Sequence, residues 1–362
     1  MNLRIGRFGR QEGISAVWVA SFASGCFSFD SFALFHDGNL SVLSHLAASV
    51  LSLLLFACVL RAIRKRGGID LSTLIGRSRI KAVLAAFLIL FLLLCAVLPL
   101  RQFLLTIAQD IFADAKRENV CWYLLPCLLL LTMLGAETLV RTSRVLLPVL
   151  FLSVLAALAI GIREFRVFRM YPIPLGKPEK LLTDTVSAIQ RTFAPLLALL
   201  CIGEGTQNTR ALQSAGNIGT AFGTVTVLGM FLGLSFAFSY GMLADMPSPF
   251  YRMLVEARTE NPTLRLDRAA LFLWMAAAIL GSALYLYAAS VLFCRTFGVR
   301  DVRPAACCMS ALAAALVLAL CCVAAADTVV PYLYRDGWLL AVVPILLLCL
   351  RGKEKQPCAV CA

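Results

Sequence analysis

Ten apolar runs, each close to 20 residues long, constrain the fold of this chain more than any other feature. A helix needs about 20 such residues to cross roughly 30 Å of hydrocarbon. Sixty per cent of the residues are hydrophobic and 15% are charged, a balance that one water-soluble core could not enclose. We therefore predict an all-α integral membrane protein with ten transmembrane helices. The predicted spans are 14–35, 40–60, 82–104, 120–139, 145–162, 186–202, 218–243, 269–297, 305–326 and 329–350.

The basic residues predict the orientation of these spans. The formal net charge is +13, but the lysines and arginines lie in short loops between apolar runs, which indicates topology signals rather than a nucleic-acid surface. Because cytoplasmic loops retain such residues, we expect both termini, including the tail 351–362, to be cytoplasmic. The run 14–35 has no small-x-small cleavage site after it, so we expect it to remain as a span.

Each half of the chain contains a glycine-containing interruption at a matching place. Gly25 lies in the first span and Gly203 at the end of the sixth, about half a chain length apart. Broken helices at matching places in two halves are typical of transporter binding sites near the bilayer midplane. We predict two inverted five-helix repeats, 14–162 and 186–350, within one membrane domain, with discontinuous first and sixth helices.

The first interruption offers small residues and backbone donors. Around Ser24, Gly25, Cys26 and Phe27, a half-helix beginning after the glycine would direct free N–H groups at an anion such as an amino-acid carboxylate. Close helix packing is the alternative explanation for the same small residues. Asp30, just beyond, is a candidate for binding a proton or a coupling ion, or a solvated acid at the outer interface.

The second interruption carries an acid inside an apolar segment. Glu204 lies between Gly203 and Gly205, directly after Ile202, and an intramembrane carboxylate must be protonated, hydrated or paired. It could carry a proton, balance a substrate ammonium group or clamp unwound backbone. The polar residues that follow it also allow a position closer to the cytoplasm.

The eighth span contributes Tyr285 and Tyr287, which could line a cavity or pack as aromatic core residues.

The chain has two histidines, no Walker A pattern and no GxSxG, and most of its 14 cysteines lie in apolar segments. We therefore expect no enzyme activity, no metal and no cofactor. A small zwitterion between the two interruptions is the predicted ligand, with its ammonium group near carbonyls around Ile202.

Several short segments together resemble the spore-germination receptor B-subunit family. They are 264–274 (LRLDRAALFLW), 282–290 (SALYLYAAS), 301–304 (DVRP), 135–142 (GAETLVRT) and, more weakly, 36–38 (HDG). The resemblance covers nearly the whole chain. Ser24, Gly25 and Cys26 match the family's first-helix break, and Gly203, Glu204 and Gly205 match its sixth. The polar residues 206–210 depart from the family's apolar continuation.

The resemblance implies a fold similar to the amino acid–polyamine–organocation transporters, which is LeuT-like. It also implies a nutrient-germinant receptor subunit in the inner membrane of an endospore, sensing an amino acid together with an A subunit and a lipoprotein C subunit. A stand-alone proton-coupled amino-acid permease and a membrane scaffold without a ligand are the alternatives.

Overall fold

The protein is a helical bundle in the computed structural model. The structure describes residues 6–28, 31–36, 38–68, 70–76, 80–108, 117–162, 165–173, 177–206, 208–246, 248–256, 266–323 and 326–350, within which no strand occurs. Asp30 and the tail 351–362 lie outside the described residues. The helices are α1 Arg10–Phe27, α2 Ser31–Phe35, α3 Ser41–Lys65, α4 Leu71–Gly76, α5 Lys81–Thr106, α6 Arg117–Leu134, α7 Ala136–Gly161, α8 Pro178–Cys201, α9 Thr209–Ala237, α10 Tyr240–Asp245, α11 Pro249–Glu256, α12 Leu266–Phe297, α13 Val302–Cys322, α14 Ala326–Asp336 and α15 Leu339–Leu350.

Each predicted span falls on one or more of these helices. Among the described residues, seven helical segments are long and apolar enough to cross a membrane: Ser41–Lys65, Lys81–Thr106, Ala136–Ala159, Thr209–Ala237, Arg268–Phe297, Val302–Cys322 and Thr328–Leu348. The last of these contains the interruption between α14 and α15. The prediction of an integral membrane protein is therefore confirmed, whereas the number ten stays a prediction.

The first predicted span is interrupted, but later than expected. Helix α1 continues through Gly25 to Phe27, and the next helix begins at Ser31. Gly25 serves packing instead, since a Cβ there would lie 2.5 Å from Cγ2 of Val227 on α9. The prediction that the helix breaks at Gly25 is wrong, and the alternative of close packing describes this residue.

The sixth predicted span corresponds to one continuous helix. Helix α8 runs unbroken for 24 residues, about 36 Å at 1.5 Å per residue, which is enough for a complete crossing. The 3₁₀ turn Gly203–Gly205 follows it, and α9 begins at Thr209. Glu204 therefore lies in the connection between two long helices, so the predicted discontinuity of helix 6 at this point is wrong.

Loops that are distant in sequence meet at the two ends of the bundle. At the end that we call the N-terminal face, the Phe8 amide donates to the Gly205 carbonyl (3.0 Å) and Arg66 donates to the Leu348 carbonyl (2.9 Å). At the opposite face, the Asn39 side chain donates to the Met170 carbonyl (3.1 Å). These contacts place the predicted cytoplasmic loops together on one side.

Candidate functional site

The structure separates the predicted site residues into three groups. The turn containing Glu204 lies beside Phe8, at the start of α1. Gly25 is fifteen residues further along that helix than Arg10, which is about 22 Å at 1.5 Å per residue. A small zwitterion cannot span this distance, so the two interruptions do not form one site.

The first group is an ion cluster of Asp70, Glu204 and Arg295, at the N-terminal face. Arg295 lies in the last turn of α12 and donates through Nη2 to Oε2 of Glu204. Its Nη1 lies 3.5 Å from Oδ2 of Asp70. The side chains are 7% exposed for Arg295, 1% for Asp70 and 33% for Glu204. The hydroxyls of Ser72 and Thr73 also donate to the Asp70 carboxylate.

This ion cluster connects three segments that are far apart in sequence. Asp70 precedes α4, Glu204 lies between α8 and α9, and Arg295 belongs to the last turn of α12. Glu204 is thus paired with the Arg295 side chain, whereas the partners considered from the sequence were a proton, a substrate ammonium group or unwound backbone. Sequence reasoning did not find Asp70 or the pairing of Arg295. The signal that could have found Asp70 is an aspartate with Ser and Thr two and three residues after it, which is typical of a turn.

The backbone around Glu204 is also internally satisfied. The Ile202 carbonyl accepts from the Gly205 amide (3.0 Å), and the Gly203 carbonyl accepts from the Thr206 amide (3.0 Å) and hydroxyl (2.7 Å). A Cβ on Gly205 would lie 2.4 Å from the Phe8 ring, so only glycine fits this contact. The predicted use of carbonyls near Ile202 as ligand acceptors is therefore not supported.

The second group brings Ser24 and Tyr285 together in the bundle interior. Their hydroxyl oxygens are 2.6 Å apart, and Tyr285 donates to the Ala20 carbonyl (3.2 Å), which leaves Ser24 as the donor to Tyr285. Both side chains are fully buried. This contact joins α1 to α12 one turn before α1 ends.

A narrow pocket lies next to this pair, towards the opposite face. Cys26 and Phe27 line it, together with the hydroxyls of Thr106 and Ser248, which are 2.8 Å apart. It has room for little more than a water molecule. The remaining lining residues are Gln102, Pro249, Phe250, Tyr251, Leu271 and Trp274.

The third group contains Tyr287, which points away from Tyr285 because the two residues are two positions apart on a helix. Tyr287 contributes to two clefts at the N-terminal face, both lined by Leu134 and Gly135. Gly135 has φ +93°, a conformation that favours glycine, and it separates α6 from α7. Tyr287 therefore does not share a site with Ser24.

The helical bundle has the fold of solved membrane transporters. Its structure is similar to a Na⁺-coupled sialic acid symporter in a substrate-bound, outward-open state, with TM-score 0.66 and 11% identity over 95% of this chain and 80% of that chain. It is also similar to Mhp1, a nucleobase-cation-symport-1 family transporter in a closed conformation, with TM-score 0.61 and 11% identity over 96% and 77%. None of the curated proteins matches the chain in sequence.

A match to a family model identifies the protein family of this chain. The model described as Spore germination protein, the spore permease family, matches residues 12–329. The chain therefore belongs to the spore germination permease family, and the resemblance read from its short motifs is confirmed.

Proposed function

We propose that this chain is the membrane subunit of a nutrient-germinant receptor and that it binds a small amino-acid-like ligand. The family match over residues 12–329 carries this proposal. The transporter-type fold adds support, because such folds hold small molecules between helices. The receptor would lie in the inner membrane of an endospore and signal through A and C subunits.

Helix packing supports two inverted repeats. Two related halves would pair α1, α3, α5, α6 and α7, in this order, with α8, α9, α12, α13 and α14–α15. This pairing turns the contact of α1 with α9, which is the most extensive in the bundle, into the somewhat smaller contact of α8 with α3. The same pairing turns the α6–α12 contact into the equally extensive α5–α13 contact. A bundle built from two related halves predicts this symmetry of contacts.

Within this proposal, the ligand lies near the end of α1. Ser24 and Tyr285 supply hydroxyl groups, and Cys26 and Phe27 line the adjoining pocket. In this proposal the small pocket belongs to a closed form of the protein. Movement of α11, which contributes Pro249, Phe250 and Tyr251 to the lining, would enlarge the pocket. In this proposal the ion cluster of Asp70, Glu204 and Arg295 holds three segments together at the N-terminal face.

The test uses spores that carry the complete receptor. We expect Ser24→Ala combined with Tyr285→Phe to raise the amino-acid concentration for half-maximal germination at least tenfold, because both hydroxyls of the site are lost. Tyr332→Phe, at an exposed tyrosine on α14, is the matched control and should leave that concentration unchanged. An unchanged response of the double variant, with normal receptor levels, would refute the site. The scaffold alternative predicts this unchanged response together with loss of receptor assembly when loop residues are substituted.

A stand-alone permease is the second candidate, because the two similar solved structures are symporters. It predicts uptake of a labelled amino acid by vesicles that contain this chain without A and C subunits. Vesicles without uptake, paired with a complex that responds to the same amino acid, would favour the receptor.

A further inference from the structure

A separate group of polar side chains is buried where α3, α8 and α14 meet. Arg191 is 5% exposed, Gln190 4% and His45 3%. His45 lies close enough to Arg191 to interact with it electrostatically, as do Asp184 and Tyr334. None of these residues belongs to the sites described above.

The guanidinium of Arg191 has an unused edge. Nε and Nη2 have no hydrogen-bond partner within the part of the chain that the structure describes. These two nitrogens direct their N–H groups to the same side, which is the fork that binds both oxygens of a carboxylate. Among the described residues, Gln190 Oε1 and His45 Nδ1 also have no partner.

Unpaired atoms of this kind are unusual in a protein interior. Buried polar groups nearly always have a partner, and a guanidinium in a membrane protein costs the most to leave unpaired. Four such atoms on three neighbouring side chains therefore indicate a polar occupant.

The location also fits a binding site. Gln190 and Arg191 lie at the middle of α8, a helix long enough to cross the membrane. Gly337, in the interruption between α14 and α15, packs directly on Gln190, since a Cβ there would lie 2.5 Å from Oε1. Interrupted helices next to buried polar groups are where membrane transport proteins place their ligands.

We propose that the α3–α8–α14 junction binds a small carboxylate, with its two oxygens on Nε and Nη2 of Arg191. Asp184 offsets the guanidinium charge, so recognition depends on the two-pronged geometry rather than on net charge. The carboxylate is either a free anion or the acidic end of an amino acid, and Gln190 Oε1 is available to an ammonium group. This site is independent of the germinant role proposed above.

The test measures the apparent melting temperature of the purified full chain in detergent against acetate, glycine and glycinamide. A ligand that binds only the folded protein raises this temperature in a saturable manner. We expect a saturable rise with acetate beyond that with sodium chloride at equal ionic strength. A rise with glycine but not with glycinamide assigns the site to amino acids, whereas a rise with acetate alone assigns it to free carboxylates.

Two arginine variants localise the effect. Arg191→Lys keeps the charge but removes the fork, so we expect at least tenfold weaker acetate binding. Arg101→Lys is the matched control, since Arg101 is also a buried arginine and its Nε donates to the Leu320 carbonyl (3.0 Å). Equal responses to acetate and chloride, no response to any carboxylate, or undiminished binding in Arg191→Lys would overturn the proposal. If Arg191→Lys does not fold, the comparison of acetate with chloride on the unchanged chain decides alone.

Discussion

Arg295 holds the ion cluster at the N-terminal face together. Its guanidinium is almost fully buried and meets one carboxylate from each of two distant segments. Such a pair adds little compared with an apolar replacement of both partners, but removal of one partner leaves a buried charge uncompensated.

We predict that Arg295→Met destabilises the folded protein by about 3–5 kcal/mol, because Asp70 then remains buried and charged. Unfolding by a denaturing detergent, followed by the loss of helix signal, measures this change. Arg335→Met is the control, because Arg335 forms an exposed pair with Asp336 and such pairs contribute about 0–1 kcal/mol. Equal effects of the two substitutions would contradict the ion cluster.

Gly25 gives a second prediction at the residue scale. Gly25→Ala places a Cβ 2.5 Å from Val227 Cγ2, and overpacking of this kind costs about 1–3 kcal/mol. The melting temperature should fall, and adding Val227→Ala should restore most of it. Gly241→Ala is the control, because a Cβ at Gly241 meets nothing within 4 Å. A neutral Gly25→Ala would show that α1 and α9 are not in close contact here.

At the scale of elements, the connection from α8 to α9 is held by its own caps. Asn208 is the N-cap of α9 and accepts from the Ala211 amide (2.7 Å). We predict that Asn208→Ala lowers stability by about 1 kcal/mol, whereas Asn208→Asp, which keeps a side-chain acceptor, has little effect. The melting temperatures of the two variants provide the measurement, and identical values would exclude a capping role.

The long helices were predictable from the sequence because hydropathy reports directly on burial in lipid. The position of a residue between the two ends of the bundle was not predictable in the same way. Glu204 follows an apolar run, but the run is the last part of a helix that begins at Pro178, in a segment rich in polar residues. Hydropathy predicted that this helix begins at residue 186 instead of 178. Glu204 was therefore predicted to lie in the middle of the bundle, although it lies at one end.

Pairings between distant residues escaped prediction for a different reason. Asp70 and Arg295 come together only through the packing of α4 against α12. Ser24 and Tyr285 were both candidates, yet their direct contact follows from the crossing of α1 and α12 and not from spacing along the chain.

At the scale of the whole molecule, the two faces of the bundle can be labelled separately. We predict that Arg144→Cys and Arg303→Cys, on the N-terminal face, resist a membrane-impermeant thiol reagent in intact cells. Tyr171→Cys, at the opposite face and well exposed, should react. A chain stripped of its native accessible cysteines is the background for all three variants. Labelling of Arg144→Cys without permeabilisation would reverse the predicted orientation.

The Asp70–Glu204–Arg295 cluster has a consequence for how often the bundle opens at the N-terminal face. Separating the two halves of the bundle at this face would strand a charge away from water, so spontaneous opening is rare unless something else supplies the energy. If that penalty is about 4 kcal/mol, roughly one molecule in a thousand is open at any moment. In the receptor role proposed above, these three side chains would keep the open form rare in the absence of a ligand.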